Sequence, residues 1–340
     1  MDDLTAAILA VVVAAASVSA VIATVDIRGL RRPPKAPKTF NTRAFETALR
    51  TREQVVHAAW GREPGPNTKN PVIKRVALTM LYLAKGGTID QAATALGISR
   101  PRSVVYINDT LDVLSAMAKS MIFMPPAEEL AAVEDGFYAT AGFPDTIGAV
   151  DGTLVRIARP HDFEGWYSRN NFPAVNVQAI VELRGLFRSI SIQSGSNNDQ
   201  SLWNGSGVKK RISSYVPPGK HLLADAGYKI WGHMLTPFPE ADAMQDPRKR
   251  RYNKAHSRTR IVVECAFGRL KNRFRVLLGK LEQKTTDRIC KVILGCAVLH
   301  NMLTLMGDGL PIHGEDPLLQ DAPAQVSEDP VEREQAVCHQ

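Results

Sequence analysis

Hydrophobic positions fall into three patterns along the chain. Residues 4–27 are apolar apart from Thr5, Ser17, Ser19, Thr24 and Asp26, a run long enough to span a bilayer. Its alanine-rich composition and the acidic start Met1-Asp2-Asp3 do not match a secretory signal. We read it as a helix packed on the protein body or on a partner, with membrane insertion as the alternative. Pro33, Pro34 and Pro37 end it in a basic linker. After a Gly/Pro/Asn-rich interruption at 61–71, residues 72–124 read as a cluster of helices. Beyond Pro125 and Pro126 the period shortens. Residues 147–158, 175–183 and 186–193 read as strands, the last two joined by a tight turn at Arg184-Gly185. Residues 221–225 form a short apolar strand ending on Asp225, and 255–278 return to helical spacing through Ile261, Val262, Cys265, Leu270, Phe274 and Leu277.

Strand, hairpin, strand, then helix is the order of a ribonuclease-H-like mixed sheet, although many α/β domains share it. The expected fold is α/β. A mixed-sheet domain at 126–308 follows an all-α region at 41–125. Residues 1–40 carry the apolar helix and linker, and 309–340 form an acidic tail expected to be disordered.

Within the helical region, residues 88–118 have the grammar of a helix-turn-helix. Thr88 can cap a short helix, Gly97 supplies the turn, and Ser99 can cap a second helix with Pro101 in its first turn. That second helix would present Arg100, Arg102, Ser103 and Tyr106 to bases and phosphates. An ordinary helical hairpin is the competing account.

Charge sharpens this picture. The net charge is +8, but the tail from His313 holds seven acids and one base, which leaves +14 on residues 1–312. So basic a body suits a polyanion. Arg248, Lys249, Arg250, Arg251, Lys254, Arg258 and Arg260 form a run without an acid, and Lys271 extends it. Such a run can contact phosphates, or serve as a solvated face or import signal. Cys265, Cys290, Cys296 and Cys338 form no CxxC pair, which disfavours a zinc site or a disulfide framework and fits a reducing compartment.

Three acids stand out. Asp151 lies in a strand otherwise made of core residues, Asp225 closes the short strand, and Glu264 lies on the last helical segment. An acid in an apolar strand is costly unless a cation or hydrogen bonds compensate it. Several converging acids would suit Mg²⁺ or Mn²⁺, and two ions can serve an in-line phosphoryl displacement. Each acid also has a structural excuse, Glu264 most of all, since Arg260 stands four residues before it.

These stretches resemble the DDE domain of the PIF/Harbinger transposases and their domesticated nuclease relatives, over roughly residues 143–303. Val150-Asp151-Gly152-Thr153 is similar to the family's IDGT block, and Ala224-Asp225-Ala226-Gly227-Tyr228 to its GDSGY block. Residues 263–274 are similar to its VERAFGxLKxRF block, with Cys265 where arginine is usual. Tyr167-Ser168-Arg169-Asn170 and Leu299-His300-Asn301 agree as well. Ser194–Asp199 resembles PGSxHD, with Ser194 for proline and Asn198 for histidine. The resemblance implies that Asp151, Asp225 and Glu264 are catalytic metal ligands, with Asp199 as a candidate fourth. His256 and Arg260 stand where the family keeps His and Arg, which implies a role in steadying phosphate or ligands.

The expected function is a divalent-metal-dependent DNA endonuclease or transposase acting by a two-metal mechanism in the nucleus, with the cytoplasm as the other location. The alternative is a catalytically idle, sequence-specific DNA-binding protein. DNA is the expected partner, a membrane is not, and a homo-oligomer is left open. The resemblance adds a separate Myb-like DNA-binding partner.

Overall fold

The computed structural model describes residues 69–70, 72–158, 164–168 and 171–305. The apolar segment, the basic linker, most of the 61–71 interruption, Arg169, Asn170 and the acidic tail lie outside the described residues. In chain order the main elements are α1 (Val72–Lys85), α2 (Ile89–Ala95), α3 (Arg100–Ala116), α4 (Ala127–Ala141), β1 (Thr146–Arg156), β2 (Ala174–Val181), β3 (Phe187–Ser194), α5 (Asp199–Gly205), β4 (His221–Leu223), β5 (Met234–Leu235), α6 (Pro247–Arg273) and α7 (Thr286–Leu305). They divide into a helical unit, which ends at Met121 and resumes at 156–158 and from Leu270, and a sheet unit formed by 122–155 and 159–269.

In the helical unit, α1 and α7 both pack on α3. Leu78, Tyr82, Leu83, Ile107, Leu111 and Leu114 are buried there. Each such side chain contributes about 1.5–3 kcal/mol through removal from water. Gly295 lets α7 approach closely, since a β-carbon there would lie 3.1 Å from Leu111. Thr88 and Gln91 form a reciprocal capping box at the start of α2, and Gly97 turns the chain toward α3 with φ +60°. Ser99 occupies the N-cap of α3, but its side chain makes no capping bond. The sequence reading assigned α7 to the sheet domain. Its partner is instead α3, through contacts of long sequence separation such as Arg288 Nη1 to Asp112 Oδ1 at 2.7 Å, and Asn301 Nδ2 bonds Met121 O just beyond that helix at 2.8 Å.

The sheet unit holds a five-stranded mixed sheet in the order β3-β2-β1-β4-β5, as expected for a ribonuclease-H-like domain. The β2–β3 hairpin is antiparallel and turns at Gly185 (φ +81°), while β1–β4 and β4–β5 are parallel. All of β2 is buried, as expected for an inner strand covered on both faces. Ile147, Val150, Ile180, Trp203, Leu222, Ala224 and Met234 form one core cluster. One residue, Ile147, bulges out of the β1–β4 ladder: Thr146 faces His221, yet Gly148 faces Leu222.

One difference from the sequence reading has a physical cause. Helix α6 begins at Pro247, eight residues before the expected start. Its first half carries no apolar stripe, because polar residues such as His256 and Thr259 form its buried face. Trp203 is a core residue, whereas Trp231 is 43% exposed, with Lys209 Nζ 3.6 Å from its ring centre.

Candidate functional site

The β1–β4 register determines where two of the acids emerge. Ala149 pairs with Leu223, so two residues further on Asp151 and Asp225 leave neighbouring parallel strands at the same level. Asp151 Oδ1 accepts from the Gly152 amide at 2.7 Å, and its Oδ2 accepts from Arg260 Nη1 at 3.0 Å. Burial raises the Asp151 pKa, the Gly152 amide and Arg260 pull it back, and nearby Asp225 adds to the rise. Asp225 Oδ1 accepts from the Gly227 amide at 2.9 Å.

Asp199, the first residue of α5, lies close to the glycines that neighbour both acids. A β-carbon on Gly152 would lie 2.6 Å from Asp199 Oδ1, and one on Gly227 would lie 3.1 Å from Asp225 Oδ1 and 3.8 Å from Asp199 Oδ2. The two glycines thus leave a cradle that side chains would fill. The strand beneath it holds Asp199 in place. Asn176 Nδ2 donates to Asp199 Oδ1 at 3.2 Å, and Gln178 Nε2 donates to the Asp199 carbonyl at 3.1 Å and to Tyr228 Oη at 2.7 Å. Burial and then the Asp199 charge raise the Tyr228 pKa, so its hydroxyl stays protonated.

Glu264 takes a different position. Arg260 Nη2 bonds Glu264 Oε1 across one helical turn, so one guanidinium spans Asp151 and Glu264. Glu264 is half exposed, while Asp151 and Arg260 each keep less than a fifth of their side-chain exposure. Among the described residues, no three His, Cys, Asp or Glu side chains stand close enough to hold an ion between them. The sequence reading expected three or four acids to converge. The structure sets Asp151, Asp199 and Asp225 around the two glycines without bringing them to one point, and ties Glu264 to Arg260. The donor set is nonetheless one that hard cations favour: carboxylates, plus the buried Asn176 Oδ1, which has no hydrogen-bond partner among the described residues. The residues present therefore fit a divalent ion.

A scan of family models places this architecture. Residues 150–301 match the family described as DDE superfamily endonuclease. Over these residues the chain is similar to Harbinger-type DDE superfamily endonucleases. Among curated relatives, "Putative nuclease HARBI1" of Rattus norvegicus is 28% identical over 228 residues, covering 65% of this chain and 64% of that protein. Its Homo sapiens counterpart is 27% identical over 235 residues, covering 67% and 66%. "Protein ALP1-like" of Arabidopsis thaliana is 23% identical over 318 residues, covering 86% and 75%. The match to the rat protein spans just under two thirds of that protein's own length. No solved structure is significantly similar to the chain.

Around the carboxylate site the bases are dense but not equivalent. The first turn of α6 is cationic, with no acid. Positive charge at a helix N-terminus opposes the macrodipole. Acids just before the helix offset this: Asp246 accepts from the Arg248 amide at 2.8 Å, and Asp242 pairs with Lys249. Arg250 donates to Met244 O, and Arg251 and Lys254 are exposed. Arg258 is half-buried, and Arg260 belongs to the carboxylate site. Lys271 lies in the helical unit, where burial lowers its pKa.

Four expected contact residues are engaged otherwise. Ser103 is fully buried and its hydroxyl donates to Ser99 O, so it cannot reach a base. Tyr106 is half-buried, with Arg75 stacked 4.4 Å over its ring, and Arg100 is paired with Asp90; Arg102 faces outward, with no such partner among the described residues. His256 is buried, stacked on Tyr252 and bonded to Leu235 O at 3.2 Å. Burial lowers its pKa to about 4, so it is neutral near pH 7 and anchors α6 to β5 instead of touching phosphate. Sequence reasoning missed Asn176 and Gln178. Their signal was two amides at alternate positions of a strand otherwise wholly apolar, Ala174–Val181.

Proposed function

We propose that this protein is a divalent-metal-dependent DNA endonuclease of Harbinger type that hydrolyses phosphodiester bonds, with strand transfer as its further capacity. The observation that carries this reading is the placing of the Asp199 carboxylate beside Gly152, which follows Asp151, and beside Gly227, whose amide bonds Asp225. DDE superfamily endonucleases generally use divalent metals. Mg²⁺ or Mn²⁺, when bound, would lower the pKa of water and stabilise the leaving oxygen of an in-line displacement. Asp151, Asp225 and Asp199 would hold it. Arg260 would hold Asp151 and Glu264 in place between reactions, and Glu264 would complete the set when the guanidinium turns to a phosphate.

The exposed bases of α6 would carry the DNA backbone toward these acids, with Arg102 on α3 as a second contact. DNA as substrate, a Myb-like partner, self-association and nuclear residence belong to the same reading. Intact acids favour it over a catalytically idle DNA-binding role. The test is cleavage of supercoiled plasmid at low salt with Mg²⁺ or Mn²⁺. The wild-type chain should nick it and Asp151→Ala should not. Full activity in Asp151→Ala would overturn the mechanism.

A further inference from the structure

Asn176 sits in β2 beside the strand that carries Asp151, and only 6% of it is exposed. Its amide nitrogen points at two oxygens, Asn197 O and Asp199 Oδ1, each at 3.2 Å. Neither a carbonyl nor a carboxylate can donate, so the amide orientation is determined: nitrogen toward these two, Oδ1 away from them. That Oδ1 has no hydrogen-bond partner among the described residues. A buried acceptor without a partner is destabilising, and such an atom calls for a reason. It points into the cradle. The position that a Gly152 β-carbon would occupy is 3.2 Å from Asn176 Oδ1 and 2.6 Å from Asp199 Oδ1. Two oxygens, one neutral and one from a carboxylate, therefore converge on space that only glycine leaves open.

We infer that Asn176 Oδ1 and the Asp199 carboxylate form an oxygen-lined subsite for a hard divalent cation above Gly152, with Asn176 as a direct ligand. Side-chain amide oxygens are ordinary partners of such ions. The neutral ligand suits a place already crowded by Asp151, Asp199 and Asp225, because it adds an oxygen without adding charge. This inference rests on the metal-dependent reading of the same site and adds a direct ligand to Asp151, Asp199, Asp225 and Glu264.

The experiment titrates Mn²⁺ into the full-length chain by calorimetry and follows thermal melts with and without Mn²⁺, for wild type, Asp151→Asn, Asn176→Leu and Asn176→Asp. Asn176→Leu should bind Mn²⁺ at least tenfold more weakly. Asn176→Asp keeps an oxygen but loses the amide donor. It should bind at least as tightly as wild type, with a larger Mn²⁺-induced rise in Tm. If Asn176 acted only through its donor, by holding Asp199, Asn176→Asp would be as weak as Asn176→Leu, and the inference would fall. It would fall equally if Asn176→Leu bound as wild type does. Uptake lost in Asp151→Asn but kept in Asn176→Leu removes Asn176 alone and leaves the metal reading standing. No uptake by wild type removes both.

Discussion

Replacing Gly152 by alanine separates the placing of Asp199 from the stability of the fold. Gly152 does not need a positive φ, so alanine is allowed there by its backbone. The obstacle is steric. The new β-carbon would lie 2.6 Å from Asp199 Oδ1, where ordinary contact begins near 3.4 Å, so the carboxylate must retreat by about 0.8 Å. The Asn176–Asp199 bond, already 3.2 Å long, would not survive that shift. Loss of a hydrogen bond to a charged group costs about 1.5–3 kcal/mol, and the smaller unfolded-state entropy of alanine returns about 0.4–1 kcal/mol. Net destabilisation is then about 1–2 kcal/mol, roughly 3–6 °C in Tm for a chain of this size. Displacement of a reacting group by about 1 Å can cost on the order of 100-fold in rate. Nicking of supercoiled plasmid with Mg²⁺, measured well below Tm, should therefore fall by about two orders of magnitude while the melt moves little. Nicking at the wild-type rate would refute the argument, and so would a loss of activity that merely tracks the unfolded fraction.

Three further changes probe other parts of the structure. Arg260→Gln should destabilise the metal-free chain by about 2 kcal/mol in urea unfolding, less than the 3–5 kcal/mol of a fully buried pair because Asp151 and Arg260 keep some exposure; added Mn²⁺ should narrow the deficit, and equal midpoints would contradict the bridge. His256 and His221 both have pKa values of about 4 in the folded chain, lowered chiefly by burial, against about 6.5 when unfolded. Their contribution is present above pH 6.5 and is lost as pH falls toward 4, up to about 3 kcal/mol each. Tm should fall across that window, less steeply in His256→Gln; an identical profile would show that His256 is not the sensor. Finally, changing Arg250 and Lys254 together to serine should reduce the slope of log K against log salt for duplex DNA by up to about 2, at roughly 0.9 per phosphate contact. An unchanged slope would place the DNA backbone elsewhere.

What could be read from sequence divides along physical lines. Asp151 and Asp225 were legible because a carboxylate in a buried strand violates the local hydrophobic pattern. The three long strands were legible by alternation and length, whereas the two-residue β5 leaves too short a signature. The first half of α6 was hidden because His256 and Thr259 are buried through specific contacts that periodicity does not weigh. The pairing of α7 with α3 joins residues as far as 176 positions apart, and no local pattern encodes it. Glu264 was placed by its motif alone, and its pairing with Arg260 is the i,i+4 contact that spacing already offered. Ser103 fell in a position facing DNA by analogy, but the helix rotates it into the core.

The bulge at Ile147 sets the phase of everything downstream on β1. Strand side chains alternate, so a slip of one residue would carry Asp151 to the opposite face and bring Val150 to the cradle. The extra residue ahead of Gly148 is what brings the acid of β1 level with the acid of β4. Single-residue insertions or deletions within 146–148 therefore act as frame errors in three dimensions: the polypeptide still reads correctly, but every side chain from Gly148 onward answers to the wrong face. Descendants of this chain can change the composition of that short stretch more freely than they can change its length.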